Sequence, residues 1–342
     1  MKAIKEKRII SKYGFKLAVL FAIFLLSFLL SVRLGSIFLS TKEFFAGLFR
    51  LDGYETESII IYTLRLPRAL GAILCGVGLS LSGVLLQAVT DNHLASPNII
   101  GVNAGAGFTT VIFLALCPTL SLLSPFIAFI GGFLATLLII SLSGRRAFSK
   151  STVLLAGIAL NALLNAGISF ITLLDTDVLS SYNAFSIGGI NGVSIKNLVF
   201  PAAIILFCLT LCMIFAKRID ILCLGDAYAS SLGVNVRAIR IICIICASAL
   251  AGAVVSFAGL IGFVGLIVPH IARYIVGGRT ERLLPVSAVT GSIIVLLGDL
   301  LGRIIISPSE IPVGIMMALI GAPFFIVLLI KYRGSVDNGY KN

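Results

Sequence analysis

A chain of 342 residues that is 59% hydrophobic and only 12% charged, with a mean hydropathy of +1.13, is too apolar to be a water-soluble domain. Its formal charge of +12 reads as membrane orientation and contact with anionic lipid, and it does not point to nucleic acid. The expectation is an all-α integral membrane protein forming one membrane domain over residues 1–342, since no linker or soluble insertion interrupts it.

Ten apolar segments follow one another at 17–32, 58–86, 99–117, 125–143, 152–174, 198–216, 239–257, 263–277, 284–302 and 312–331. Several are too short to cross a ~30 Å hydrocarbon core upright, so half-length or tilted helices are expected in a packed bundle. The run from Leu17 to Val32 ends at Arg33 without a small-x-small cleavage site, so it reads as an uncleaved first helix rather than a signal peptide. With a cytoplasmic basic N-terminus at 1–16, every Lys and Arg except Arg33, Lys42, Arg50, Arg65, Arg68, Lys196 and Arg303 falls on the cytoplasmic side. That bias places both termini in the cytoplasm and requires an even number of crossings.

The first motif in chain order is Arg65-Leu66-Pro67-Arg68, near the outer start of the second segment. Arginines three apart share one side of a helical turn, and Pro67 is tolerable only near a helix end or a kink. Outward arginines run against the charge bias, so either they snorkel to lipid phosphate or something uses them. The next connection, Thr90 to Ala106, holds Asn92, His93, Leu94, Ala95, Pro97, Gly101 and Gly105; His93 has no second His, Cys or carboxylate set beside it to suggest a metal or proton relay. Ser149, Lys150 and Ser151 form a short inner loop. In the fifth segment Asn161, Asn165, Ser169 and Thr172 recur at helical spacing, a polar stripe for a protein partner, a pore or bonding between helices.

The inner connection Lys217 to Arg237 contains Leu222 to Val234, which reads as a short amphipathic helix at the cytoplasmic face or as a solvated loop. Asp226 would open that helix and Gly233 would end it. Seven cysteines lie mostly inside apolar segments, and Cys243 with Cys246 has no partner pair at metal-site spacing, so buried small hydrophobes are expected. From Phe257 to Arg273 an apolar run is broken by Gly259, Gly262, Gly265, Pro269 and His270. Irregular backbone at membrane depth survives only where protein or a wet cavity satisfies it, and His270 is expected to hydrogen-bond that backbone. Asp299 and Arg303 stand four apart on one helical face and could neutralise each other.

These motifs, in this order over nearly the whole chain after residue 60, resemble the permeases of the iron-chelate, haem and cobalamin ABC importers, the FecCD type. The resemblance implies a type II importer permease arrangement of about ten spans. It implies that Arg65, Arg68 and Arg303 face outward and dock an extracytoplasmic substrate-binding protein. Leu224, Gly225, Asp226, Ala229, Leu232 and Gly233 would couple to an ATPase subunit; Asn161, Asn165, Ser169 and Thr172 would line the path at a dimer axis. Ser149, Lys150 and Ser151 would form the cytoplasmic gate, and Gly262, Gly265, Pro269 and His270 a structural motif. His93 departs from the family by replacing a proline, which would loosen its turn.

The partners implied are a second permease subunit, identical or related, two ATPase subunits, the binding protein and membrane lipid. The cargo implied is an iron chelate, ferric siderophore first, with haem or cobalamin as alternatives. The chain has no G-x-x-x-x-G-K-[ST] loop, so ATP and Mg would be bound by the partner ATPase, with no cofactor on this chain and no catalysis by it. An ion-coupled secondary transporter would need carboxylates near the midplane, and an intramembrane enzyme a nucleophile–base pair or metal cluster; neither pattern is evident.

Overall fold

The computed structural model describes residues 2–142 and 150–339, and every regular element among them is helical. α1 (Lys2–Arg33) leads through two short helices, α2 (Thr41–Leu48) and α3 (Glu55–Ile59), to a π-helical turn at Ile60–Arg65 and then α4 (Leu66–Thr90). A 3-10 turn at Pro97–Ile100 precedes α5 (Val102–Leu116), and another at Pro118–Leu123 precedes α6 (Ser124–Leu142). α7 (Lys150–Leu174), the short α8 (Thr176–Ile187) and α9 (Ile195–Leu222) follow. α10 (Asp226–Ser231) separates α9 from α11 (Val236–Ala258), and α12 (Val264–Val276), α13 (Thr280–Ile304) and α14 (Val313–Gly339) complete the order.

Seven helices are long and apolar enough to cross a membrane, and α5, α12 and part of α14 are shorter apolar helices. Each coincides with one of the segments read from the sequence. Polar side chains set the ends of the connecting helices. Ser40 and Glu43 form a reciprocal capping box on α2, Asp175 Oδ1 accepts from the Asp177 and Val178 amides at α8, and Asn235 accepts from Ala238 at α11. The π-helical turn has its cause in Pro67, whose ring would strike the carbonyl four residues back in a regular helix; the wider turn relieves that clash.

Burial divides the long helices into a centre and a rim. In α4 and α13, 78% of the apolar window is buried, and in α11 72%, against 17% in α1 and α7. Because lipid tails are as apolar as the helices, close packing of small residues and interhelical hydrogen bonds must hold the centre together. Ser82 Oγ donates to the Ala247 carbonyl at 2.6 Å, joining α4 to α11, and the Thr136 and Ser248 hydroxyls meet at 2.7 Å between α6 and α11. At the α4–α13 crossing, a Cβ on Gly76 would lie 2.3 Å from the Gly291 backbone, so the two helices touch main chain to main chain.

Between α11 and α12 the helix breaks inside the protein. Leu260 N–H donates to the Phe185 carbonyl at 3.1 Å, Gly189 N–H to Ala258 at 2.8 Å, and Gly314 N–H to Gly188 at 3.1 Å. The end of α8 therefore supplies partners that a continuous helix would have supplied, as membrane depth demands, and is itself tied to the start of α14. Phe263 takes φ +65°, uncommon for a bulky residue, with its ring base against Gly321 of α14, where any Cβ would lie 2.5 Å away.

Replacing Gly76 with Ala should cost about 1–3 kcal/mol of stability through overpacking at the α4–α13 contact. The check is a thermal melt of the detergent-purified protein, with a fall in Tm expected.

Candidate functional site

One end of the bundle is organised around five charged side chains. Arg68, on the first turn of α4, directs Nε and Nη2 to Asp299 of α13 at 2.9–3.1 Å and Nη1 to Glu310 at 2.6 Å. Arg303 Nε lies 3.0 Å from the other Asp299 oxygen, one turn along α13, and its terminal nitrogens reach the Ser31 carbonyl and hydroxyl and the Leu34 carbonyl. Arg65 donates to the Val32, Arg33 and Ile37 carbonyls, satisfying acceptors that the end of α1 leaves open. The expected Asp299–Arg303 pair is present, and it is part of a larger network.

The three arginines are 5%, 9% and 3% exposed, and Asp299 is fully buried. They do not project as open outward side chains; their donors are engaged by this chain's own oxygens beneath the segments around Gly35 and Glu310. They form part of the wall of a cavity of about 240 Å³, together with Thr63, Asn191 and Glu310. Beside it, a cavity of about 530 Å³ opens over the break, lined by Phe185, Gly188, Ser256, Gly259 and Pro312 among others. Burial alone would raise the Glu310 carboxyl, but the bonds from Arg68 and Ser36 and the Arg68 and Arg303 charges outweigh it and hold it below the usual carboxylate range.

The polar stripe of α7 divides. Asn161 Nδ2 donates to the Asn98 carbonyl at 2.8 Å, and Thr172 is buried with its hydroxyl on the Ile168 carbonyl of its own helix. Asn165 and Ser169 are exposed, beside the equally exposed Ala162 and Ala166. Ser149 lies outside the described residues, Lys150 opens α7, and Ser151 is exposed on its first turn.

At the opposite end, α10 is a compact, anchored projection. Gly225 has φ +105° at its start and Gly233 φ +77° after it, as the sequence led us to expect of its limits. Asp226 meets Arg240 of α11 at 2.8 Å, with the guanidinium almost wholly buried, and Ala229 is fully buried against the bundle. Leu224, Tyr228 and Leu232, spaced four apart, are 62%, 70% and 61% exposed. An apolar stripe thus faces outward on a helix held rigidly from behind. The contributions of Arg240 and Tyr228 were not apparent in the sequence.

The connection after α4, where a looser turn was expected at His93, is closed by local hydrogen bonds. Asp91 takes φ +50°, Asn92 Oδ1 accepts from the Leu94 amide at 2.9 Å, and the Ala95 amide bonds the Asn92 carbonyl at 3.0 Å. This side-chain-closed turn replaces the restraint that proline would give. Ala95 and Pro97 are buried, Gly101 carries φ +76° before α5, and Gly105 packs against Gly131 of α6.

His93 and His270 line one cavity of about 320 Å³ with Phe324. Burial, then the Arg273 charge, lowers the His93 imidazole below its ordinary value against the pull of Asp91. Among the described residues no group of three His, Cys, Asp or Glu is placed to hold a metal ion.

The broken motif corrects one expectation. His270 packs edge-on against Phe324 rather than bonding the interrupted backbone. That backbone is served by Gly189 and Phe185, and in α12 by Gln87, whose Nε2 reaches the Gly265 carbonyl at 3.3 Å while its Oε1 accepts from Arg273 at 2.5 Å. Gly262 lies in the break itself, its carbonyl accepting from Val264, and Pro269 is buried within α12. Gln87 is buried in α4, and only its apolar surroundings on the helix could have singled it out.

Comparison with known proteins places these features in context. Residues 23–331 match the model of the FecCD transport family. The iron(III)-citrate import system permease of Bacillus subtilis is 37% identical over 91% of this chain and 93% of its own length. The hemin transport system permease of Yersinia pestis is 34% identical over 91% of this chain and 95% of its own. The solved structure of an inward-facing metal-chelate-type ABC transporter superposes with a TM-score of 0.82 at 30% identity, covering 93% of this chain and 99% of that one.

Two outcomes follow from the charged network. Asp299→Ala should cost about 3–5 kcal/mol, because it leaves two buried guanidiniums short of a carboxylate; the check is the melting temperature against wild type. Glu310 has a lowered folded pKa, so its contribution is complete above the unfolded value of about 4.3 and is lost as pH falls through the folded value. Melts from pH 6 down to pH 3 should therefore show a steeper acid loss for wild type than for Glu310→Gln.

Proposed function

Because the chain belongs to the FecCD transport family and is a multi-pass membrane protein, we propose that it is the membrane-spanning permease subunit of an ATP-driven importer of iron chelates, with ferric siderophore as its first cargo. The observation that carries this reading is the pairing of two opposite ends: a cavity with buried arginines at one, and the anchored, apolar-faced α10 at the other. An importer needs a receiving face and a face that accepts mechanical work, and this fold offers a different chemistry at each.

In this mechanism the loaded binding protein meets the end bearing Arg65, Arg68 and Arg303. Their positive field steers carboxylates toward the cavity, and full engagement exchanges an internal partner for an incoming one. The chelate enters the 530 Å³ vestibule over the α11–α12 break. The exposed Asn165 and Ser169 of α7 favour a polar or protein neighbour over lipid, which supports a pathway shared with a second permease subunit. ATPase closure acts on Leu224, Tyr228 and Leu232, and Arg240 and Ala229 pass that displacement to α11. Ser149, Lys150 and Ser151 serve as the inner gate, the last two at the start of α7, and ATP with its Mg belongs to the partner ATPase. Haem is the second cargo reading, favoured by the Yersinia pestis relative.

The test is uptake of radiolabelled iron supplied separately as ferric citrate, ferric hydroxamate and haem, in cells with and without this chain. Loss of one chelate's uptake names the cargo, and unchanged uptake of every form refutes the iron-chelate reading. In the same assay Leu224→Ala with Tyr228→Ala should reduce uptake at least tenfold without lowering the amount of protein in the membrane.

A further inference from the structure

At the end of the bundle that carries α10, a cavity of about 400 Å³ is lined by Tyr13, Lys16, Arg273, Tyr274, Gly277 and Arg282, with no carboxylate among the described residues of its wall. Two acidic groups at or beside the start of α13 are engaged elsewhere: Glu281 lies 3.9 Å from Lys217, and Asp220 accepts from the Thr280 amide and hydroxyl. Lys16 Nζ donates to the Ile275 carbonyl at 2.6 Å, leaving further ammonium protons for another acceptor. The Arg282 guanidinium lies 5.1 Å from the centre of the Tyr13 ring, which holds it as a flat, oriented donor. Arg273 completes the set while bonding Gln87, so the cavity is tied to the α4–α12 contact.

Its height in the fold identifies the ligand. Lys16 directly precedes the apolar run of α1 that starts at Leu17, Val276 is the last residue of α12, and Thr280 is the first of α13. Residues beside these three limits line one cavity, so the elements end at a common level, the one expected to meet lipid phosphates. Tyr274, 92% exposed, and the half-buried Tyr13 are the amphipathic rings expected at that level.

We propose that this cavity binds a phosphate group, and that its source is the headgroup of an anionic phospholipid. Such a lipid would pin α1 to the α12–α13 corner at the end where ATPase force is expected to arrive. The site does not depend on which chelate is carried.

Native mass spectrometry of the delipidated full-length chain in neutral detergent, titrated separately with phosphatidylglycerol, phosphatidylcholine and inorganic phosphate, tests it. Phosphatidylglycerol should be retained about tenfold better than phosphatidylcholine. Lys16→Gln should weaken that preference, Lys16→Gln with Arg282→Gln should abolish it, Lys16→Arg should keep it, and Lys196→Gln at the other end should not change it. Inorganic phosphate that displaces the lipid at comparable concentration would assign the same chemistry to a soluble source. Equal retention of both lipids by wild type, or a preference that survives Lys16→Gln undiminished, would overturn the site.

Discussion

The buried carboxylate of Asp299 is the contact on which one whole end of this protein depends. It binds Arg68 of α4 through two oxygens and Arg303 of its own helix, and those arginines in turn hold Glu310 and the end of α1. Removing two or three charges from water is costly, and only complete pairing offsets that cost. Extensive pairing is what is seen: Arg65 and Arg303 turn terminal nitrogens to carbonyls at the end of α1 and just beyond it, so the helix end and the guanidiniums serve each other. An end built this way has few alternative arrangements, because moving any one member leaves a buried charge or a backbone acceptor without a partner.

The same rule governs the centre. α11 stops and α12 starts within the protein, and the peptide groups freed there find Phe185, Gly189 and Gln87. The α4–α13 contact is main chain against main chain, while the rim helices expose leucines and phenylalanines. Rigidity is concentrated where α4, α11 and α13 meet. α10 and the vestibule lie at opposite ends of α11, so a push on α10 is delivered along one buried helix to the edge of the break.

Much of this was legible in the sequence, for definite reasons. Hydropathy located every apolar helix, because the cost of exposing peptide groups to lipid leaves no other choice of element. Pro67 announced a helix irregularity, and Leu222 to Val234 read as a short helix opened by Asp226 and ended by Gly233, or as a solvated loop. What could not be read were relations between distant positions. Arg65, Arg68 and Arg303 were visible as outward arginines, but Glu310 and the α1 carbonyls that bury them come from other parts of the chain. Periodicity put Asn161, Asn165, Ser169 and Thr172 on one stripe, yet the 3-10 turn at Pro97–Ile100 claims Asn161 and burial claims Thr172. His270 looked like the natural partner for a broken helix, and the work is done by a glutamine in α4 and by carbonyls that carry no sequence signature.

The separation of Arg68 from its carboxylate also sets an order of assembly. Asp299 is made 231 residues after Arg68. At ribosomal rates of ~5–20 residues per second, α4 therefore waits on the order of 10–50 s for the partner that neutralises it. During that interval Arg68, at the very end of its span, can extend to the bilayer surface and keep its charge in water. Only when α13 is inserted can α4 settle to its final depth, so a contact on which one end of the protein depends is also among the last that biogenesis can close.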